Sequence, residues 1–262
     1  TAHYLPAPRN LQATAIQDAA YLTWEEPVVG SKGISNEASA NLPVITPQPS
    51  AEIAGGGNGY IGDASVVITT NPTDAELYNN GPFVNSPGTG AGGADESILQ
   101  SGLGMSTYGF GCQQSAGNSI ADDVEVTGTW DLTEMDIFVY QTGSSTTSTI
   151  TGAMVRVWDG DPRSGGNVIW GDLTTNIMTS TTWSNVYRNN DGPGGSTDRP
   201  VMKVTCNLSG LTLTSGTYWF EWTVTGTLSS GPWQPPITIN GQTTTGNALQ
   251  NQSGTWVEVV DN

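Results

Sequence analysis

From Leu77 onward, apolar and polar residues alternate in short runs separated by glycine-rich turns, the period-two signature of strands whose side chains point to opposite faces. Residues 135–140 set Met135, Ile137 and Val139 against Asp136, Phe138 and Tyr140, an imperfect alternation that predicts burial on much of both faces. Residues 153–159 place Ala153, Val155 and Val157 opposite Met154, Arg156 and Trp158, and the run ends in the turn Gly160-Asp161-Pro162. Residues 201–208 put Met202, Val204, Cys206 and Leu208 on one face. Residues 217–224 set Tyr218, Phe220, Trp222 and Val224 against Thr217, Trp219, Glu221 and Thr223. With no helical period between them, these runs predict an all-β fold, an antiparallel, jelly-roll-like β-sandwich. One short helix is expected at residues 95–100, where Ala94-Asp-Glu-Ser follows a glycine run. No repeat of 20 to 50 residues marks a propeller or solenoid.

Upstream the pattern changes. Residues 10–16 and 20–24 predict two strands joined at Gln17-Asp18, whereas residues 28–75 are rich in Pro, Gly, Ser, Asn and Ala and offer one strand, at 64–70. The expected organisation is a strand pair or arm at 1–27, a linker at 28–75 and a β-sandwich domain at 76–262. The phrase Pro6-Ala-Pro-Arg-Asn-Leu-Gln-Ala-Thr, with Tyr21-Leu-Thr-Trp24 after it, resembles the opening strands of a fibronectin type III domain. An orphan strand pair can pack as an extended arm. It can also complete a sheet on another copy of the protein, because unpaired strand edges invite such addition.

Composition narrows the partners. The 34 Gly and 15 Pro disfavour long helices. Acidic residues outnumber basic ones 24 to 7, giving a formal charge of −17. Nucleic acid and anionic membranes are poor partners for such a surface, since both call for basic patches; a solvated extracellular surface, or one that collects divalent cations, suits it. No apolar run is long enough for a membrane span, and no basic-then-apolar leader opens the chain, so the numbering is expected to begin after processing.

A string of phrases between Tyr78 and Trp256 carries a second resemblance. They are Tyr78-Asn-Asn-Gly-Pro-Phe, Gly90-Ala-Gly-Gly-Ala-Asp95, Ile120-Ala-Asp-Asp123, Tyr140-Gln-Thr-Gly143, Val157-Trp-Asp-Gly-Asp-Pro162, Gly216-Thr-Tyr-Trp219, Gly231-Pro-Trp-Gln-Pro-Pro236 and Gly241-Gln-Thr-Thr-Thr-Gly246. In this order they resemble a β-sandwich domain of large secreted proteins of Bacteroidetes and other environmental bacteria. The resemblance implies an extracellular, adhesin-like or hydrolase-associated module, often carried outward by type IX secretion. The ending at Asn262 is abrupt for a final strand, and a longer native polypeptide is expected. In an oxidising extracellular setting Cys112 and Cys206 are expected to pair, a bond worth roughly 4 to 5 kcal/mol in the chain-entropy account.

Candidate chemistry is sparse. His3 is the sole histidine and lies near the N-terminus, where it cannot be held as a proton shuttle. Histidine- and thiol-dependent mechanisms are thereby disfavoured. A carboxylate pair such as Asp122, Asp123, Asp159, Asp161 or Glu221 could in principle hydrolyse a glycosidic bond. The same groups suit calcium, a hard cation that takes six to eight oxygens; Asp122-Asp123 and Asp159-Gly-Asp161 are the candidate ligands. Turn capping is the competing reading for each. Nine tryptophans supply aromatic faces for polysaccharide, and Trp233, Trp170 and Trp183, at or near turns, are the candidate platforms. Core packing explains the strand residues Trp158, Trp219 and Trp222. The function expected from the sequence is a non-catalytic extracellular structural or adhesive protein of a bacterial surface, assembling into a filament through its N-terminal arm. The alternatives are a carbohydrate-binding module and, third, a glycosidase.

Overall fold

The structure, a computed structural model, describes residues 9–16, 19–25, 66–69, 76–190, 192–243 and 246–260. Contacts divide the chain into two compact units, Thr1–Gln48 and Pro49–Asn262. In the first, β1 (Arg9–Ile16) and β2 (Ala19–Glu25) pair antiparallel with Thr14 opposite Tyr21, as the sequence pattern predicts. His3 and most of the 28–75 segment lie outside the described residues.

The second unit contains β3 (Val66–Thr69), β4 (Glu76–Asn79), β5 (Asp95–Ile98), β6 (Phe110–Gly111), β7 (Asn118–Val139), β8 (Ile150–Trp158), β9 (Val168–Gly171), β10 (Met178–Asn189), β11 (Pro200–Gly226), β12 (Trp233–Gln234), β13 (Leu249–Gln252) and β14 (Thr255–Glu258). The expected all-β fold is observed, and among the described residues no helix is long and apolar enough to cross a membrane. The long strands β7 and β11 pair antiparallel from Met202↔Val139 to Trp222↔Ile120. Strands β6 and β12 pair with each other as a separate two-stranded sheet, and the remaining strands of this unit attach to the two ends of the ribbon. One branch runs β4-β3-β7-β11-β10-β5 and the other β14-β13-β7-β11-β8-β9.

Side chains from both branches meet in one apolar cluster. Met135, Ile137, Val139, Met202, Val204, Cys206 and Leu208 come from the β10 branch. Ile120, Val124, Val155, Val157, Phe220, Trp222 and Val224 come from the β8 branch. All are buried to 1% exposure or less, and all but Ile120 and Val124 lie on the apolar faces that the alternation marked.

Three elements differ from the sequence reading. Residues 201–208 and 217–224 belong to a single strand, β11, rather than two. Its register shifts between Asn207 and Leu211 and between Thr214 and Gly216. Gly210, at φ 92°, lies in the first of these irregularities, a conformation that side chains with a Cβ rarely adopt. Bulges thus absorb the small residues that read as a turn.

Residues 95–98 form β5, not a helix, and pair parallel to β10, with Val186 opposite Asp95 and Asn189 opposite Ile98. Tertiary partners override the local signal: fully buried Glu96 accepts from Asn189 Nδ2, Thr89 Oγ1 and the amides of Gly194 and Gly195. β3, expected within the linker, pairs with β4 and with residues 134–137 of β7, and so extends the sheet of the second unit.

The expected disulfide is not formed. Cys112 and Cys206 are both free and buried. The carbonyl of Cys112 accepts from Val224 N at 2.8 Å, and its Sγ donates to the Pro232 carbonyl at 3.4 Å. Cys206 lies in the opposite half of β11, between Met135 of β7 and Met178 of β10. Burial pushes both thiols up, Cys206 to about 12 with Asp136 adding to the shift, so neither is a reactive thiolate. A thiol reagent is expected to find no accessible sulfhydryl in the native protein and two after denaturation, and reductant is expected to leave the melting temperature unchanged. A native mass two hydrogens short, or melting lowered by reductant, would restore the disulfide.

Candidate functional site

The outward faces of the two branches differ in what covers them. On the β10 branch, Tyr140, Val186 and Val201 are packed under Phe83, Val84, Tyr108 and Trp233 from flanking segments. On the β8 branch the outward cluster is Ala121, Trp219 and Leu249, and what packs on it is Trp158 and Trp256 of the same branch. Among the described residues, Trp158 and Trp256 are the half-buried aromatic side chains of this face, and Ala121, Trp219 and Leu249 are buried against them.

Its side chains stand in three rows, because residues two apart on a strand share a face and paired strands align them. The first row runs from Ser119 to Asn251 and Trp256, with Thr223 beside Ser119. The second runs Arg156, Glu221, Ala121, Leu249 and Glu258; the third runs Trp158, Trp219 and Asp123.

Glu221 anchors the middle row. It is wholly buried, and its carboxylate accepts from Arg156 Nε at 2.6 Å, Arg156 Nη2 at 3.1 Å, Trp158 Nε1 at 2.8 Å and Ser119 Oγ at 2.6 Å. The guanidinium also lies over the Trp158 ring, 4.7 Å from its centroid. A buried carboxylate is tolerated only when paired and fully hydrogen-bonded, and these four bonds meet that condition. They also fix the Trp158 indole, which is held at its nitrogen and over one ring face.

At one edge Arg163 bridges Asp161, at 2.8 Å, and Glu258, at 3.2 Å, joining the turn after β8 to β14. Beyond the first row a cleft of about 330 Å³ opens between the start of β7 and the β13–β14 turn, with Ser119, Thr223 and Asn251 on its floor.

The carboxylates expected to hold calcium do not converge. Asp122 and Asp123 are consecutive on β7 and so face opposite ways: Asp122 is buried and accepts from Asn80 Nδ2 at 2.9 Å, whereas Asp123 looks outward and accepts from Asn247 Nδ2 at 2.6 Å. Burial, with the nearby charges of Asp161 and Glu125 adding, raises the Asp123 carboxyl above its ordinary value against the pull of its hydrogen bonds. Asp159 caps its turn by accepting from Asn167 N at 2.6 Å, and the Arg163 side chain holds Asp161 below the usual carboxylate range. Among the described residues no group of three or more His, Cys, Asp or Glu is placed to hold a metal.

The tryptophans expected to bind polysaccharide are dispersed. Trp233 exchanges backbone hydrogen bonds with Tyr140 and is half-buried, with its indole nitrogen on Ser230 Oγ; it is not a free platform. Trp170 and Trp183 pack against the main core, and Trp183 also donates to the Val186 carbonyl. The aromatic surface belongs instead to Trp158 and Trp256, which pack over the buried Trp219. Sequence reasoning assigned Trp158 and Trp219 to the core, which holds for Trp219 at 5% exposure but not for half-buried Trp158, and Trp256 carried no signal of its own. Their place on the outward faces of β8, β11 and β14 was legible from the alternation; their meeting was not, because it depends on strand order. Compared with family models, with curated proteins and with solved structures, the chain matches none.

Proposed function

We propose that this chain is a non-catalytic extracellular protein of a bacterial surface, structural or adhesive in role, and that it adheres through the outward face of the β8 branch. In this reading the two branches stack as a sandwich about the shared core. The observation that supports it is the state of Glu221: the most buried carboxylate on the face is consumed by four donors, one of them the Trp158 indole it holds in place, and so is not held ready to move a proton. A face of rigid indoles rimmed by polar groups suits polysaccharide, whose sugar rings offer apolar faces for stacking.

Assembly with other copies is a second proposal. Strand β9 pairs with β8 along one edge, and Val168 and Ile169 on it are 41% and 46% exposed. A short edge strand bearing apolar side chains invites an added strand, and the β1–β2 hairpin, a separate compact unit, is a candidate donor.

The test is co-sedimentation with a panel of insoluble polysaccharides, with and without calcium, with electron microscopy of the same preparations. Binding without release of reducing ends is expected, together with loss of most binding in Trp158→Ala. Turnover of any polysaccharide, or equal binding by the variant, would overturn the adhesive reading. Discrete monomers at every concentration would remove assembly alone.

A further inference from the structure

The cleft near Trp256 has a polar but uncharged lining, and that bears on its ligand. Its polar lining comes from Gln114, Asn118, Ser119, Thr223, Asn251 and Ser253, with no charged side chain among the lining residues. Most of their donors already point into the protein. Ser119 Oγ donates to Glu221 Oε1 at 2.6 Å, Thr223 Oγ1 to the Asn118 carbonyl at 2.7 Å and Ser253 Oγ to the Ala116 carbonyl at 2.8 Å. Gln114 Nε2 donates to the Leu173 carbonyl at 3.0 Å and Asn118 Nδ2 to Gln113 Oε1 at 2.9 Å. A hydroxyl whose hydrogen is engaged behind it presents lone pairs in front, whereas an amide NH₂ with one hydrogen engaged still has a second to donate.

The cleft therefore offers uncharged acceptors and donors together, mostly from Gln114, Asn118, Asn251 and Ser253, because Ser119 and Thr223 lie deep at 2% exposure. Asn251 adds to these donors: its Oδ1 accepts from Gly254 N at 2.6 Å, and its amide NH₂ remains to donate. Directly across the β13–β14 pair from Asn251 stands Trp256, half-buried on the outward cluster.

We infer that this cleft is a binding site for an unionised, hydroxyl-rich sugar ring of a neutral polysaccharide. Each ring hydroxyl both donates to the lining oxygens and accepts from the lining amides, and the apolar ring face reaches past Asn251 to Trp256, which is paired with Asn251 at the rim rather than in the lining. A phosphate, sulfate or uronate would bring negative charge to a chain of net charge −17, with no basic side chain in the lining to pair with it. The inference rests on the adhesive reading and sharpens it by naming a ligand class and a place.

The cleft can be closed without touching the Glu221 network. Leu173 forms part of the wall and is half-buried, so Leu173→Trp fills the space while Trp158 and Trp219 stay as they are. Affinity electrophoresis of the full chain would compare a neutral β-glucan, a neutral mannan, a sulfated glycan, a polyuronate and cationic chitosan at two salt concentrations.

Retardation by a neutral polymer, independent of salt and weakened about tenfold in both Leu173→Trp and Trp256→Ala, is the expected result, with unchanged melting of each variant confirming the fold. If Leu173→Trp binds like the parent while Trp158→Ala does not, the cleft proposal fails and the adhesive face stands. If only sulfated, uronate or cationic polymers bind, or binding collapses with salt, the ligand class is wrong. If no neutral polymer is retarded, the cleft proposal is overturned whatever other surface the protein adheres to.

Discussion

Glu221→Ala is expected to destabilise the larger unit by about 3 kcal/mol, toward the lower end for breaking a buried ion pair. The lower end applies because the Arg156 side chain is 26% exposed and can recover some hydration. The loss arises from what remains: a guanidinium, an indole N–H and a buried Ser119 hydroxyl aimed at an empty position. For a unit of this size, that corresponds to a melting temperature lower by roughly 6 to 12 °C. The double variant Arg156→Met/Glu221→Leu is expected to regain most of the stability, since well-packed apolar residues can replace a buried pair at little cost. Calorimetry separates the outcomes. A single variant within 1 kcal/mol of the parent, by order of magnitude, would mean that the network behaves as an exposed ion pair and does not rigidify the aromatic face.

The second large effect is expected at Glu96. Burial alone would raise this carboxyl, but the Thr89 hydroxyl, the amides of Gly194 and Gly195 and the Asn189 amide together hold it below its ordinary value. Gly194 serves this anion from φ 76°, and a Cβ on Gly195 would lie 2.8 Å from the Asn189 side chain, so the loop is shaped to bring its N–H groups to the carboxylate. Glu96→Gln replaces an acceptor oxygen with an NH₂ among donors and is expected to cost about 2 to 3 kcal/mol at neutral pH.

The pH dependence follows from the direction of the shift. Because the folded-state pKa is depressed, Glu96 contributes fully above the unfolded value of about 4.3, and its contribution is lost as pH falls through the folded-state value. Denaturant midpoints for parent and variant should therefore differ most at neutral pH and converge only in acid below about pH 4. A gap that stays constant from pH 7 down to the acid limit would show that the cost is steric rather than electrostatic.

Much of the fold was legible because β-structure writes its faces into the chain. The alternation in residues 135–140, 153–159, 201–208 and 217–224 marked the side chains that now fill the core. Residues 95–98 were misread because the cue was local, a polar start after glycines, while the deciding partners Asn189, Gly194 and Gly195 lie far along the sequence. The two runs in β11 were read as separate strands because Ser209-Gly210 looks the same in sequence whether it turns the chain or bulges it.

The candidate site was less legible, and the cysteines show why. Their number and setting suggested a bond, yet Cys112 is stitched to the Val224 end of β11 and Cys206 sits in its other half. Asp122 and Asp123 suggested a shared cation, yet adjacent residues on a strand face opposite ways. Here period two argued against the metal reading as plainly as it argued for the core.

By itself the sequence determined the all-β class, the residues on each strand face and the acidic, histidine-poor surface, since these follow from side-chain alternation and composition within short windows. Tertiary structure alone decided the order of strands across the β7–β11 ribbon. That order brings Arg156, Glu221, Ser119 and Trp158 into one network and sets Trp256 near the cleft, because strand neighbours are chosen by the burial of whole faces, over separations that no local pattern records.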